Sequence, residues 1–344
     1  MAEAEGQGAR RRFRRLGYPL TFLSLLLLLV VVWSAGYLLS PAPSPAGQTV
    51  TALIPKGASL KSIAAILAHS KLIGDQYSFL ILAKLSGKAQ RLPAGEFALR
   101  GGRRPLALLH ELATAKAIAR AVTLPEGWTA AEMAARLAED GWCDAQKYLR
   151  LSADAAFIAK LGFVGAATLE GYLYPDTYHL TKADTDATHI ITMQTRRFQE
   201  VWRALGGEKL AATAARRALI LASLVEKEAA VAAERPLIAG VFTNRLRLGM
   251  PLQSDPTVLY GVTGDNRPIT RTDLERATPY NTYVIAGLPV GPIANPGRDA
   301  LAAALAPATT DFLYFVAKND GSHQFSTTLE DHNAAVRRYQ RGGK

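Results

Sequence analysis

The stretch LASLVEKEAAVAAERPLIAGVFTNRLRLGMPLQSDPTVLYG begins at Leu221 and carries two glutamates, Glu226 and Glu228. Residues from about Leu210 to Glu234 favour helix, and neither Gly nor Pro interrupts until Pro236. On a helix, Leu221, Leu224, Val225 and Glu228 fall at i, i+3, i+4 and i+7, so Glu228 lies on an apolar stripe that Val231 continues. Glu226 lies about 200° round the axis, with Ala222 and Ala230, and reads as a solvated charge or as one that supports the site from behind that stripe. A carboxyl on an apolar face is partly desolvated, which disfavours its charged form and raises its pKa. Such a group, protonated near neutrality, can donate a proton to a glycosidic oxygen. The alternative is a structural acid paired with Arg245 or Arg247 at a helix contact.

Other residues could join this chemistry. After a Gly249 helix stop, a polar loop places Gln253, Ser254 and Asp255 before Pro256. The segment LEGYLYPDTYHL, residues 169–180, sets Tyr172, Tyr174, Tyr178 and His179 around Pro175-Asp176; Pro175 ends any helix there. An exposed loop of this composition suits sugar stacking, and a core strand with a turn is the plainer alternative. Residues 278–297, TPYNTYVIAGLPVGPIANPG, read as a long rigid loop, and FLYFVAKNDGSHQFS as two strands joined at Asn319-Asp320-Gly321. The single cysteine, Cys143, excludes an internal disulfide and a multi-cysteine metal site. The six histidines show no ligand spacing, so neither metal nor cofactor is expected.

The elements that must position these residues can be placed in outline. Residues 141–210 read as helical apart from the tyrosine-rich segment. Upstream, IPKGASLKSIAAILA from Ile54 and LPEGWTAAEMAARLA from Leu124 form a repeat with an offset of 70 residues. Each copy follows a β-rich run, turns at Pro-x-Gly, and begins a helix with Ser59 or Thr129 as N-cap. PAGEFALRGGRRPLALLHELATAK lies between them and reads as a strand and a helix. Such strand–helix units resemble LysM-type carbohydrate-binding modules, and a generic α+β scaffold is the alternative.

Residues 20–39 are almost wholly apolar, about 30 Å of helix and enough to cross a bilayer core. Arg10, Arg11, Arg12, Arg14 and Arg15 precede this span and no comparable cluster follows it. The first fifteen residues are therefore expected in the cytoplasm and the rest outside. A cleaved signal would carry a shorter apolar region. The net charge is +11; without residues 1–15, 35 basic and 27 acidic residues leave a mildly basic body. That body suits an anionic polymer or a membrane surface, and no nucleic-acid-binding signature accompanies it.

Taken in order, EGYLYPDTY, LASLVEKEAAVAAERPLIAGVFTNRLRLGMPLQSDPTVLYG, TPYNTYVIAGLPVGPIANPG and LYFVAKNDGSHQFS with His332-Asn333 resemble the endolytic murein transglycosylase (YceG-like) family, over residues of about 50–340. The resemblance implies a membrane-anchored enzyme that cuts nascent peptidoglycan strands internally, with the second glutamate of Glu-Lys-Glu, here Glu228, as its catalytic acid. Protonated Glu228 would give its proton to the oxygen between N-acetylmuramic acid and N-acetylglucosamine. The muramic 6-hydroxyl would then attack C1, giving up its proton to the same carboxylate and leaving a 1,6-anhydro end.

Substrate-binding candidates fall in the same strings: Glu170, Tyr174, Asp176, Thr177, Tyr178, Asn244, Arg245, Gln253, Asp255, Tyr260, Asn281 and Tyr283. The expected fold is α+β: a basic tail (1–15), a transmembrane helix (16–39), a linker (40–48), a LysM-like repeat region (49–140) and a mixed α/β catalytic domain (141–344). Expected partners are peptidoglycan strands and, by the family's role, the cell-wall synthases; the expected location is the cytoplasmic membrane, single-pass. Two other functions stay open: a non-catalytic peptidoglycan-binding scaffold, and a hydrolytic muramidase using Glu228 with Asp255.

Overall fold

A computed structural model describes residues 3–90, 92–182, 185–262 and 267–341, with side chains from Thr21 onward, so the side chains of the arginine cluster lie outside it. The chain runs α1 (Glu3–Leu39), β1 (Thr49–Ile54), α2 (Leu60–His69), α3 (Gln76–Leu85), β2 (Gly95–Arg100), α4 (Pro105–Thr114), β3 (Ala119–Thr123), α5 (Ala130–Glu139), α6 (Ala145–Ser152), α7 (Ala155–Lys160), β4 (Thr177–Thr181) and α8 (Ala187–Ala204). It continues through α9 (Ala212–Glu228), α10 (Arg235–Arg247), α11 (Pro256–Leu259), α12 (Arg271–Leu274), α13 (Arg298–Leu305), β5 (Tyr314–Ala317), β6 (His323–Ser326) and α14 (Leu329–Val336). These elements form a mixed α/β fold in two compact units, residues 1–120 with 180–184, and residues 121–179 with 185–344.

In the first unit, Thr21–Leu39 of α1 has a mean hydropathy of 2.4 and is unburied, long and apolar enough to cross a membrane. β1 and β2 pair antiparallel from Thr49↔Arg100 to Ile54↔Gly95, with α2 and α3 between them in the chain. Ser59 caps α2 as expected, accepting the Ser62 N–H at 3.1 Å. The inner faces of these elements, with α4, bury Ile54, Leu67, Phe79, Phe97 and Leu108 together. α3 was not anticipated: its run QYSFLILAKL is apolar on nearly every side, so it carries no clear helical stripe.

The segment 40–48, expected as a free linker, is packed down. The Ala42 N–H donates to Arg103 O (2.9 Å) and the Ser44 N–H to Lys71 O (3.0 Å). A Cβ on Gly101 would meet Pro45 O at 2.5 Å, which shows how closely the two backbones approach.

The second unit contains the second copy of the repeat, which was expected with the first in 49–140; the break falls at 120/121 rather than 140/141. The reason is packing. α5 buries Met133, Ala134 and Leu137, and Gln194 of α8 reaches Met133 Sδ at 3.3 Å. Thr129 and Glu132 close a capping box at the start of α5.

The core of this unit surrounds α9. Leu219 to Val225 are buried without exception, packed with Ile238, Ala239 and Phe242 of α10 and Ala300, Leu301 and Ala304 of α13. α9 ends at Glu228, six residues short of the expected end, because Ala229 turns to extended geometry (φ −86°, ψ 107°). Val231, expected to prolong the apolar stripe, is therefore off the helix and 37% exposed.

Candidate active site

Glu228 is the last residue of α9 and is half-buried at the edge of a cavity of about 320 Å³. The cavity is lined by Glu228, Arg245, Gln253, Asp255 and Tyr283, by Phe315 and Val316 of β5, by His323 of β6, and by His332 of α14. Four of the twelve expected binding residues, Arg245, Gln253, Asp255 and Tyr283, thus share a cavity with Glu228, although they come from separate parts of the chain.

Among the described residues Glu228 has one partner within hydrogen-bonding distance: Ser254 Oγ donates to its Oε1 at 2.6 Å. Burial pushes the carboxyl up to about 7; the Ser254 bond opposes this, the Asp255 charge adds to it, and His323 opposes it. The pairing with Arg245 or Arg247 considered from sequence is not formed. The Arg245 guanidinium donates instead to the carbonyls of Leu313 (2.7 Å), Pro251 (3.2 Å) and Leu252 (2.9 Å), tying α10 to the two neighbouring segments.

The loop bearing Ser254 is over-determined. The Ser254 N–H donates to Thr282 Oγ1 (2.9 Å), the Thr282 N–H to Thr257 Oγ1 (3.1 Å), and the Thr257 hydroxyl to Ser254 O (2.6 Å). This closed set holds Gln253 at φ 51°, a left-handed conformation rare for a residue with a side chain. Next to it, the Tyr283 hydroxyl donates to Asp255 Oδ1 at 2.5 Å.

Glu226 is a correction. Its side chain is 5% exposed, not solvated. It faces Arg235 Nη2 at 3.3 Å and accepts the Gly297 N–H at 2.9 Å. The helical-wheel argument failed because Arg235 and the loop at Gly297 cover the side of α9 that carries Glu226, while Lys227 beside it stays exposed.

The tyrosine-rich segment is also corrected. Tyr174 and Tyr178 are each 6% exposed, and Tyr172 packs against Phe163 and Phe198, so no exposed stacking loop exists there. Asp176 pairs with Arg197 of α8 at 2.8 Å. Thr177 is exposed and shares a hydroxyl hydrogen bond with Thr123.

Glu170 is buried and accepts from the Ala130 N–H (3.0 Å), Tyr260 Oη (3.0 Å) and Asn295 Nδ2 (2.7 Å). Burial raises it to about 7, but it serves the start of α5 and does not line the Glu228 cavity. Asn244 donates to the carbonyls of Thr310 and Phe312, and buried Asn281 to those of Asp273, Leu274 and Arg276. These polar residues spend their hydrogen bonds on the fold.

The residue-by-residue reading missed Ser254, His323 and His332 as members of the site, although all three were visible. Ser254 lies between two residues that were chosen, and the histidines lie in the C-terminal hairpin and the helix after it. Nothing in a hairpin pattern says which cavity it will wall.

The pieces assembled so far define a class: a mixed α/β protein with one raised carboxyl in an open polar cavity. The YceG-like family matches residues 52–338, and the chain belongs to that family. The chain is 36% identical over 319 residues to the "Endolytic murein transglycosylase" of Bacillus subtilis strain 168, covering 88% of each protein. It is 29% identical to the protein of that name from Streptococcus pneumoniae serotype 2 strain D39, covering 91% of this chain and 64% of the relative. A crystal structure of a YceG-like protein from Listeria monocytogenes superposes with a TM-score of 0.57 at 33% identity, over 83% of this chain and 98% of that one.

Proposed function

We propose that the protein is an endolytic murein transglycosylase, a lyase that cleaves peptidoglycan strands without water, with Glu228 as its acid. The observation that carries this is the carboxyl of Glu228: half-buried, raised to about 7, bonded among the described residues to Ser254 alone, and opening on a polar cavity. The structural acids nearby are tied to the fold by several donors, Glu226 by Arg235 and the Gly297 N–H and Glu170 by Ala130, Tyr260 and Asn295, and neither lines the cavity. Relatives bearing the transglycosylase name support the reading.

In the proposed reaction, protonated Glu228 gives its proton to the oxygen between N-acetylmuramic acid and N-acetylglucosamine as the C1–O bond breaks. Positive charge develops at C1, and the muramic 6-hydroxyl closes on it to give the 1,6-anhydro end. Asp255 is engaged by Tyr283 and placed to orient substrate, not to act as the second carboxyl of a hydrolase. Arg245 and Gln253 frame the cavity wall, Gln253 by its constrained backbone.

The remaining parts of the reading concern placement. The apolar helix Thr21–Leu39 supports a single-pass anchor in the cytoplasmic membrane, with the arginine-rich end inside and the folded units outside. The strand–helix–helix–strand arrangement of β1, α2, α3 and β2 supports a LysM-like module that lies along glycan. Termination of strand growth, beside the synthases that make nascent strands, is the role this placement suits. Mass spectrometry of wall digests tests the chemistry: anhydro ends that disappear with Glu228→Gln support it. Reducing ends, heavier by one water, would instead establish a muramidase.

A further inference from the structure

His323 opens β6, opposite Ala317 of β5, on the wall of the cavity that holds Glu228. Its backbone N–H donates to Glu234 Oε1 at 3.0 Å, and its Nδ1 lies 2.7 Å from Glu234 Oε2. Both side chains are largely buried, 9% and 15% exposed. A carboxylate only accepts, so Nδ1 carries the hydrogen in this bond, and whenever the ring is neutral its Nε2 presents a lone pair. Phe315 meets the ring edge-on at 5.4 Å, which fixes its plane. Among the described residues, Nε2 has no hydrogen-bond partner.

Of the other titratable or charged groups around this cavity, Asp255 and Tyr283 bond each other and Arg245 serves backbone carbonyls, while His332 stacks on Tyr314 with its Nδ1 buried and unpartnered among the described residues, and lacks the orienting carboxylate that His323 has. Glu234 and His323 thus form a carboxylate–imidazole pair on the wall of the cavity that Glu228 lines, the arrangement by which a buried acid orients an imidazole as a base.

We propose that His323, oriented by Glu234, takes the proton of the attacking 6-hydroxyl while Glu228 protonates the leaving oxygen. The proposal rests on the transglycosylase reading and divides its proton transfers between two residues. The C1–O bond to the departing sugar breaks, its electron pair stays on that oxygen, and that oxygen takes the Glu228 proton. A lone pair of O6 forms the new bond to C1, and the O6 proton passes to Nε2. A carboxylate and an imidazolium are left facing the same cavity, and return of the proton from His323 to Glu228 restores both. No water enters the balance. Glu234 touches no substrate and is a positioning residue.

The test measures kcat and KM against pH for the full chain in detergent, on uncrosslinked glycan strands, with anhydro ends counted by mass spectrometry. The wild type is expected to lose activity on both sides of an optimum: on the alkaline side as Glu228 loses its proton, on the acid side as His323 gains one. His323→Gln is expected to lower kcat by about 10²–10³-fold, with little change in KM, and to abolish the acid limb. Glu234→Gln keeps a hydrogen-bond acceptor but removes the charge that favours the imidazolium. It is expected to lower kcat about tenfold and to move the acid limb to lower pH. An acid limb that persists unshifted in both variants, whatever happens to kcat, overturns the proposal while the wild type still makes anhydro ends. A wild type that makes only reducing ends overturns the transglycosylase reading and this inference with it. If His323→Gln fails to fold, the limb in Glu234→Gln decides alone.

Discussion

Ser254 Oγ stands 2.6 Å from Glu228 Oε1 and is the carboxyl's single hydrogen-bonding partner among the described residues. The bond favours the carboxylate, against the burial that favours the acid, and so sets where Glu228 titrates. Ser254→Ala removes the donor. The alkaline limb of kcat should then move upward, by about one pH unit at most for a bond of about 1 kcal/mol. A limb that moves downward, or stays fixed, would show that the bond does not tune the acid.

Glu228→Gln should abolish anhydro-end formation, a loss of about 10²–10⁴-fold or more, with the melting transition retained. Product mass spectrometry and a thermal melt on one preparation check both halves of that statement.

The same substitution should change how stability depends on pH. In the folded chain Glu228 titrates near 7, above the ordinary value of 4.5. A raised carboxyl contributes stability that is fully present below about pH 4.5 and is lost as pH rises through 7, because the folded state must then hold a buried charge. Glu228→Gln has no such charge. It should match the wild type near pH 4.5 and exceed it at pH 8.5 by about 1–3 kcal/mol, partial exposure of the side chain reducing the gain. Glu170 is raised in the same way and is present in both proteins, so it cancels from the difference. Denaturant titrations at the two pH values read the effect.

Glu226→Ala should be one of the more destabilising single changes near the site, by about 3–5 kcal/mol. It leaves Arg235, 12% exposed, with the more distant Glu126 at 4.0 Å and the Gly297 N–H without its acceptor. Glu226→Gln retains the acceptor and should cost less. Unfolding midpoints of the two variants, compared with that of Glu228→Gln, distinguish the structural acid from the functional one.

Gly171→Ala tests the packing of the tyrosine-rich segment. Gly171 sits at φ +87°, and a Cβ there would meet Pro292 Cγ at 2.6 Å, so backbone strain and a clash with a rigid ring act together. A loss of about 2 kcal/mol or more is expected in a thermal melt.

Much of the local structure was legible in the residues. Ser59 and Thr129 were readable as N-caps because a hydroxyl before an amphipathic run satisfies the free N–H groups of the first turn. The C-terminal hairpin was readable from Asn319-Asp320-Gly321, where Asn319 and Gly321 take positive φ. The limit appears at α9. Spacing set Glu228 on the apolar side but also sent Glu226 to solvent, because periodicity presumes that a helix has an outside. Here Arg235 of α10 and the loop ending at Gly297 cover Glu226, whose side chain is 5% exposed.

The sequence alone determined that a glutamate would stand at the end of an apolar stripe, that an apolar helix long enough for a bilayer would precede the folded units, and that Pro- and Gly-rich loops would follow. These depend on local propensity and on periods of a few residues. Only the tertiary structure decided which carboxyl keeps a cation and which faces the cavity. It also brought together Ser254, Tyr283 and His323, and turned Tyr174, Tyr178, Asn244 and Asn281 inward. Those outcomes depend on contacts between segments tens of residues apart, and a polar side chain commits to the fold or to a ligand according to which buried backbone groups arrive beside it.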